Sequence, residues 1–216
     1  MMSDDFAQAR VSYERGSLDV DAVAVDPFEQ FGRWFGRALA VDLLEPYAMT
    51  IATVDSTGQP SARIVLMRGW DVDGFVFFTN YESQKGHELA HTPQAALLFF
   101  WAPLEQQIRI EGRVERLAPA ESDAYFAQRP RGHRLSAWAS PQSTVVPDRA
   151  YLEDQMRRYE RQFAGNDVPR PDYWGGYRIC PNRFEFWQGR RNRVHDRIAY
   201  CRAVPSAPWI IERLAP

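Results

Sequence analysis

AMTIATVDSTGQPSARIVLM, residues 48–67, is the stretch that decides the fold class. Two β-rich runs flank the segment STGQP, whose glycine and proline suit a turn, so the sequence predicts a β-hairpin. A second turn at Asp73 and Gly74 precedes the apolar run FVFFTN. Further candidate strands lie at residues 75–80, 95–101 and 105–117, and from Tyr177 to the C-terminus. Strand follows strand without regular βαβ alternation, which predicts a mainly β fold: an antiparallel, Greek-key-like barrel with peripheral helices.

Capping residues mark the predicted helices. Asp26 suits an N-cap and Pro27 suits the first helical position. The side chains that then recur at helical spacing are Phe28, Phe31, Trp34, Phe35, Ala38 and Leu39. This apolar face predicts a helix packed on a core. Further helices are predicted to begin after Ser83, at Pro119 and at Asp148.

Composition predicts a single domain. The chain has 216 residues, of which 45% are hydrophobic and 25% charged, enough for one sizeable core. We expect one domain over residues 1–216, with residues 1–25 as an N-terminal segment able to move and residues 171–216 as the C-terminal strands. A net charge of -2 argues against a general nucleic-acid binder or a protein drawn to anionic membranes. No long apolar run or signal peptide is visible, so we expect a cytoplasmic protein.

Several familiar chemical motifs are absent from the sequence or incomplete in it. Cys180 and Cys201 belong to no Cys/His cluster, so neither a disulfide framework nor a structural zinc site is indicated. The segment HELAH, residues 87–91, satisfies the HExxH zinc pattern, but Pro93 ends the helix and no third-ligand motif follows. We therefore predict no metal site. The chain also lacks GxGxxG, GxxxxGK and GxSxG, so a phosphate would have to be held by side chains.

Four clusters of anion-binding side chains remain. They are RIVLMR at 63–68, SQK at 83–85, YFAQRPRGHR at 125–134 and FEFWQGRRNRVHDR at 184–197. The second cluster holds the only lysine of the chain, Lys85, at a predicted helix N-terminus that favours phosphate. The fourth, taken as an extended strand, places four side chains on one face: Arg191, Arg193, His195 and Arg197. Each cluster alone is typical of a charged surface, but together they indicate more than one phosphate.

These motifs resemble those of pyridoxamine 5'-phosphate oxidases, nearly from end to end. The matching segments occur in the family's order: RIVLMRG, FFTNYESQKGHEL, QQIRIEGRVERL, YFAQRPRGHRLSAWASPQS, WGGYRI and FEFWQGRRNRVHDR. The earlier segments resemble the wider FMN-binding split-barrel group, whereas the last and the closing IERLAP are specific to the oxidases. The resemblance implies a homodimer of split β-barrels with FMN at the subunit interface. It also implies oxidation of pyridoxine or pyridoxamine 5'-phosphate to pyridoxal 5'-phosphate, with O2 reduced to H2O2.

The resemblance also implies the site residues. The FMN positions are Arg63, Ile64, Val65, Leu66, Met67, Arg68, Phe78, Thr79, Ser83, Gln84, Lys85, Gln107, Gln142, Ser143, Trp187 and Arg197. The substrate positions are Arg10, Tyr13, Arg68, Tyr125, Arg129, His133, Arg193 and His195. Arg193 and His195 are the expected catalytic pair, holding the substrate against the flavin so that a hydride can pass. Whether either also moves a proton is left open.

Two residues depart from the family pattern. Arg68 stands where lysine is frequent, and His133 stands where a small serine is common. Both changes keep positive or proton-accepting groups in the expected phosphate pocket, so a phosphorylated substrate is still expected. Two alternatives stay open: a related split-barrel flavoenzyme with another substrate, for example in phenazine biosynthesis, and a flavin- or pyridoxal-phosphate-binding protein without turnover.

Overall fold

The computed structural model describes residues 11–216. Within that range there are five α-helices and nine β-strands. The helices are α1 (Pro27–Ala40), α2 (Gln84–His91), α3 (Pro119–Gln128), α4 (Arg131–Ala139) and α5 (Arg149–Gln162). The strands are β1 (Ala48–Val54), β2 (Pro60–Leu66), β3 (Gly69–Asp71), β4 (Gly74–Asn80), β5 (Gln94–Trp101), β6 (Gln106–Arg116), β7 (Trp174–Gln188), β8 (Asp196–Cys201) and β9 (Ile210–Leu214).

All nine strands belong to one sheet. Its order is β2-β1-β5-β6-β7-β4-β3, with β8 paired to β7 and β9 paired to β8. The pairs β1–β2, β3–β4, β4–β7, β7–β8 and β8–β9 are antiparallel. The predicted hairpin of residues 48–67 is confirmed, because Ala48 lies opposite Leu66 and Val54 opposite Pro60. No helix in residues 11–216 is both long and apolar enough to cross a bilayer.

The chain forms two compact units. The first unit comprises Met1–Pro46, Leu97–Ile110 and Asn182–Pro216, and the second comprises Tyr47–Ala96 and Glu111–Pro181. The prediction of one domain over residues 1–216 stays a prediction. Residues 1–10 lie outside the described part of the chain, and so does Arg10, a predicted substrate residue.

In the first unit, the apolar face of α1 packs on aromatic side chains of the sheet. Edge-to-face ring pairs join Phe28 to Phe184, Phe31 to Phe99 and Trp34 to Phe186, with ring centroids 5.2, 5.3 and 5.3 Å apart. The predicted cap is confirmed, because the Asp26 carboxylate accepts a hydrogen bond from the amide of Phe28 at 2.7 Å. Leu39 was wrongly predicted on the buried face, since it is 58% exposed and lies past the stripe that contacts the sheet.

In the second unit, helices α3 and α4 pack beside the first part of β7. Phe126, Ala137 and Trp174 are buried together, with Phe78, Tyr125 and Tyr173 against them. Helix α4 was not predicted. The helices after Ser83 and Asp148 are confirmed, because these side chains accept hydrogen bonds from the amides of Gly86 and Tyr151.

The basic segment before β8 differs from its prediction. Strand β7 ends at Gln188, and a loop follows in which Asn192 and Arg193 adopt left-handed φ angles of 57° and 61°. Because the chain turns here, the predicted row of cations is wrong: Arg191 pairs with Glu14, and Arg197 pairs with Glu185 within the sheet. Asparagine tolerates the left-handed region better than most residues, which explains why the strand is interrupted at this point.

Gly74 offers a test of the packing of β4 on β7. Its φ is 144°, and an added Cβ would lie 1.9 Å from the carbonyl oxygen of Ile179. We expect Gly74→Ala to lower the free energy of unfolding by about 3 kcal/mol, measured by urea denaturation. Gly58→Ala is the control, since φ there is 88° but an added Cβ meets nothing within 4 Å. Backbone strain alone should lower the free energy of unfolding of Gly58→Ala by about 1 kcal/mol. Equal losses of unfolding free energy in Gly74→Ala and Gly58→Ala would contradict the predicted clash.

Candidate active site

A large pocket lies in the second unit. Its volume is about 900 Å³, within the range of small-molecule sites. Most predicted site residues line it: Arg63, Ile64, Val65, Leu66, Arg68, Phe78, Thr79, Gln84, Lys85, Tyr125, Arg129, His133, Gln142 and Ser143. These side chains come from strand β2 and the residues just after it, the end of β4, the start of α2, helices α3 and α4 around their junction, and the loop after α4. The fold therefore brings together the first three anion-binding clusters of the sequence.

Lys85 is a buried cation in the wall of this pocket. It is 6% exposed, and its ammonium donates to the hydroxyls of Thr79 and Ser83 at 3.2 and 3.3 Å. No described carboxylate forms an ion pair with it. Burial, and next the charge of Arg63, lower the pKa of Lys85 to about 8. A bound anion would favour the charged ammonium and so oppose both effects. This end of the pocket therefore suits a negatively charged ligand.

Arg63 lies beside Lys85 and is held by a buried acid. Its Nη2 is 3.2 Å from Oε2 of Glu88, and it also donates to the hydroxyls of Thr53 and Ser61. Burial opposes ionisation of Glu88. Hydrogen bonds from Thr53, Ser61 and Gln84 and the charge of Arg63 outweigh it, so the pKa of Glu88 lies below its usual value. Glu88 is thus a carboxylate, and it fixes the guanidinium in the pocket wall.

A second cationic region is built on aromatic side chains. The rings of Phe78 and Tyr125 are stacked with centroids 3.8 Å apart, and Trp174 lies nearly parallel to Phe78 at 5.6 Å. The Arg129 guanidinium lies 4.5 Å from the centre of the Trp174 ring, and its Nη1 is buried without a hydrogen-bond partner among residues 11–216. Burial, and then the charge of Arg68, lower the pKa of Arg129. Such an unsatisfied donor is costly, which indicates that a ligand acceptor belongs there.

A separate cleft of about 700 Å³ lies in the first unit and contains the expected catalytic pair. Tyr13, Arg193 and His195 line it. Nδ1 of His195 accepts a hydrogen bond from the backbone amide of Arg190 at 3.1 Å, and its ring lies 4.6 Å from that of Trp187. Because Nδ1 accepts, the neutral ring carries its proton on Nε2. Burial and then Arg193 lower the pKa of His195, so the imidazole is neutral near pH 7.

The remaining predicted site residues that the structure describes are not among those lining these two cavities. Met67 is buried in the core, and Ser83 is committed to the cap of α2. Gln107 lies on β6, in the first unit. In the same unit, the Nε of Arg197 donates to Oε1 of Glu185 at 2.9 Å, and this hydrogen bond raises the pKa of Arg197.

The sequence prediction did not include Trp174, which lines the large pocket, or Glu88, which lies behind the lining and binds Arg63. Four other lining residues were not predicted as site residues either: Ser61, Ala62, Gln128 and Pro130. The signals present in the sequence were the family segment WGGYRI for Trp174 and the segment HELAH for Glu88. No group of three or more His, Cys, Asp or Glu side chains in residues 11–216 is arranged to hold a metal ion.

The charge of Arg193 gives a testable effect on His195. We expect Arg193→Met to raise the pKa of His195 toward its ordinary value, because one of the two causes that depress it is removed. NMR titration of the imidazole would measure the midpoint. Arg191→Met is the matched control, since Arg191 is 69% exposed and paired with Glu14. An identical His195 midpoint in the two variants would contradict the assigned cause.

Comparisons with known proteins agree with this architecture. The family profile described as "Pyridoxamine 5'-phosphate oxidase" matches residues 37–163, and that of the "Pyridoxine 5'-phosphate oxidase C-terminal dimerisation region" matches residues 174–216. A pyridoxine/pyridoxamine 5'-phosphate oxidase of Burkholderia orbicola (strain MC0-3) is 56% identical over 211 residues, covering 97% of this chain and 98% of that protein. The relative of the same name from Burkholderia cenocepacia (strain HI2424) is also 56% identical, with the same coverage.

Two solved structures share the fold. PhzG from Burkholderia lata 383, in complex with tetrahydrophenazine-1-carboxylic acid, has a TM-score of 0.85 at 32% identity, covering 93% of this chain and 100% of that one. A pyridoxamine 5'-phosphate oxidase-related, FMN binding protein from Nostoc punctiforme PCC 73102 has a TM-score of 0.69 at 18% identity, covering 89% and 99%. The predicted mainly β, split-barrel fold with peripheral helices is thereby confirmed. With its two profile matches and its full-length relatives, the chain belongs to the pyridoxamine 5'-phosphate oxidase family.

Proposed function

We propose that this protein is an FMN-dependent oxidase that converts pyridoxamine 5'-phosphate and pyridoxine 5'-phosphate to pyridoxal 5'-phosphate, reducing O2 to H2O2. The observation that carries the proposal is the presence of two cation pairs in one pocket. Lys85 lies near Arg63, and Arg129 lies near Arg68, close enough for each pair to interact electrostatically. Two phosphate esters, one on the cofactor and one on the substrate, would satisfy these two pairs.

FMN suits the pocket of the second unit. Family membership and the FMN-binding neighbour from Nostoc punctiforme support this cofactor. The buried ammonium of Lys85, without an ion pair among the described residues, fits a phosphate together with Arg63. The Gln142 side chain accepts from Thr79 at 3.2 Å through Oε1, so its amide nitrogen is left as a donor for a ring edge. When bound, FMN supplies the hydride acceptor and the reaction with O2.

The chain's own residues would bind and orient the substrate. Tyr125, Arg129 and Arg68 hold its phosphate, and the unsatisfied Nη1 of Arg129 gains an acceptor. Arg193 and His195 line the cleft of the first unit, and the family resemblance assigns them to the pyridine ring of the substrate. The Nε2 hydrogen of neutral His195 donates to the same ring, which fixes the reacting carbon for hydride transfer. Positioning is therefore the main task of this pair.

We further propose a homodimer with FMN at the subunit interface. The match of residues 174–216 to the family's dimerisation region supports self-association. That region includes Trp187, Arg193, His195 and Arg197, so these expected cofactor and substrate positions belong to the segment that the family uses to dimerise. The cytoplasmic location expected from the sequence stays a prediction.

The proposed activity is tested by oxygen consumption of the FMN-loaded protein with pyridoxamine 5'-phosphate, while pyridoxal 5'-phosphate is followed in the same cuvette. Equal amounts of oxygen consumed and product formed are expected. Flavin binding without turnover of either B6 phosphate would overturn the activity. Failure to bind FMN would overturn the cofactor assignment as well.

A second candidate is an oxidase of a phenazine precursor. The likeness to PhzG, whose structure contains tetrahydrophenazine-1-carboxylic acid, favours it, and the forked guanidinium of Arg68 can bind a carboxylate as well as a phosphate. Oxygen uptake with that carboxylic acid, compared with uptake on pyridoxamine 5'-phosphate, separates the two candidates. A protein that binds flavin or pyridoxal phosphate without turnover would consume no oxygen with either.

A further inference from the structure

A buried carboxylate stands directly behind the cationic wall of the large pocket. Glu88 lies on α2, three residues after Lys85, and is 5% exposed. It is absent from the pocket lining, whereas four of its neighbours line that pocket: Ser61, Arg63, Gln84 and Lys85. An acid behind an anion site is unexpected, because its charge opposes that of the ligand. Its presence therefore needs a compensating role.

The contacts of Glu88 join three elements. Its Oε1 accepts from the Gln84 side chain at 2.8 Å, within α2. The Ser61 hydroxyl donates to both carboxylate oxygens at 2.8 Å, and Nη2 of Arg63, also on β2, lies 3.2 Å from Oε2. The Thr53 hydroxyl donates to Oε2 from β1. One carboxylate thus fixes the guanidinium and an amide of the pocket wall against two strands and a helix.

The same carboxylate balances the charges of the wall. Glu88 lies one helical turn after Lys85 on α2, so its charge favours the ammonium although the two groups form no ion pair, whereas the charge of Arg63 disfavours it. Lys85 also contacts the hydroxyls of Thr79 and Ser83, which carry no charge. Without Glu88, the buried ammonium of Lys85 and the half-buried guanidinium of Arg63 would lie side by side with no described carboxylate to balance them. The lysine is the one of the two that can release a proton.

Building on the proposed function, we propose that Glu88 is a positioning residue of the cofactor-phosphate site: it holds Arg63 and Gln84 in place and is the counter-ion that keeps Lys85 charged. The ligand concerned is the phosphate ester of the flavin. Glu88 acts through its neighbours, so its removal should alter the pH dependence of phosphate binding and leave the isoalloxazine contacts intact.

The first test follows Lys85 itself. Because it is the only lysine, lysine labelled with ¹³C and ¹⁵N gives one side-chain NMR signal, which is titrated in flavin-free protein. In the wild type its pKa should be about 8. In Glu88→Gln, which keeps the size and loses the charge, the midpoint should lie about one pH unit lower. The same midpoint in both proteins would overturn the counter-ion role, whether or not FMN binds.

Two further variants separate the counter-ion role of Glu88 from a general effect of charge and from its contact with Arg63. Glu82→Gln removes an equal charge from an exposed side chain near the start of α2 and should leave the Lys85 midpoint unchanged. Glu88→Asp keeps the charge but withdraws it by one methylene from Arg63. It should hold the midpoint near that of the wild type and weaken FMN binding severalfold. FMN affinity equal to the wild type in Glu88→Asp would overturn the positioning of Arg63.

The second test compares FMN with riboflavin, which lacks the phosphate. FMN binding should weaken as pH rises through the pKa of Lys85, because the ammonium is lost. In Glu88→Gln the ratio of Kd at about pH 9 to Kd at about pH 6 should exceed the wild-type ratio by about tenfold. Riboflavin should show the same pH dependence in both proteins. An unaltered FMN profile overturns the inference, while a wild type that binds no FMN overturns the proposed function instead.

Discussion

Replacing Lys85 with methionine should weaken FMN binding by about 100-fold, the effect expected from losing one charge-assisted hydrogen bond in a buried site. Methionine fills a similar volume, so the pocket keeps its shape while its compact cation is lost. Arg63 cannot compensate fully, because Glu88 already neutralises part of its charge. Titration of flavin fluorescence would measure the FMN Kd.

Riboflavin and protein stability provide the controls for this variant. Riboflavin should bind Lys85→Met as it binds the wild type, since no phosphate is involved. Burial lowers the pKa of Lys85, which means that folding disfavours its charged form. Flavin-free Lys85→Met should therefore unfold at a higher temperature than flavin-free wild type. Equal losses of FMN and riboflavin binding would show a distorted pocket and contradict the phosphate role.

Arg129→Met should reduce kcat/KM for pyridoxamine 5'-phosphate by about 100- to 1,000-fold, mostly through KM, because truncating a buried ionic contact costs several kcal/mol. Nη1 of Arg129 is buried and has no hydrogen-bond partner in the described part of the chain, so the substrate phosphate would be its acceptor. The guanidinium also lies over Trp174, and the apolar methionine preserves that packing. Steady-state oxygen uptake would measure both constants.

Arg131→Met is the matched control for the substrate site. Arg131 is exposed at the start of α4 and donates to the carbonyl oxygens of Asn166 and Phe163 at 2.8 and 2.6 Å. It is absent from the pocket lining, so its loss should leave KM within about twofold of the wild type. FMN affinity should be unchanged in both arginine variants. A KM of Arg129→Met close to that of the control would contradict phosphate binding by Arg129.

Local rules in the sequence were sufficient for much of the fold. The hairpin of residues 48–67 follows from β-rich runs around a Gly/Pro turn, and it formed as predicted. The caps at Asp26, Ser83 and Asp148 each depend on one side chain and a nearby backbone amide, so a single sequence contains the signal. The coincidence of a helix N-terminus and a cation likewise predicted an anion site at residues 83–85, and the structure places Gln84 and Lys85 in the lining of the large pocket.

Other features depend on contacts that a single sequence does not display. Cationic side chains at every second position predicted a strand through residues 191–197. Asn192 was the one signal in the sequence that favoured a left-handed turn there instead. Helix α4 begins directly after Pro130, where a charged cluster concealed the apolar spacing of Leu135 and Ala139. Glu88 and Arg63 are 25 residues apart, and only the pairing of β-strands beside α2 brings them together.

The left-handed turn at Arg193 has a consequence for which residues this position can accept. A non-glycine residue at φ 61° is strained, and glycine would relieve that strain. Under the proposed role, however, glycine would remove the guanidinium from the substrate. Stability therefore favours glycine at position 193, whereas the proposed activity favours arginine. Under that proposal, the loop retains a strained backbone conformation because the guanidinium is needed for substrate binding.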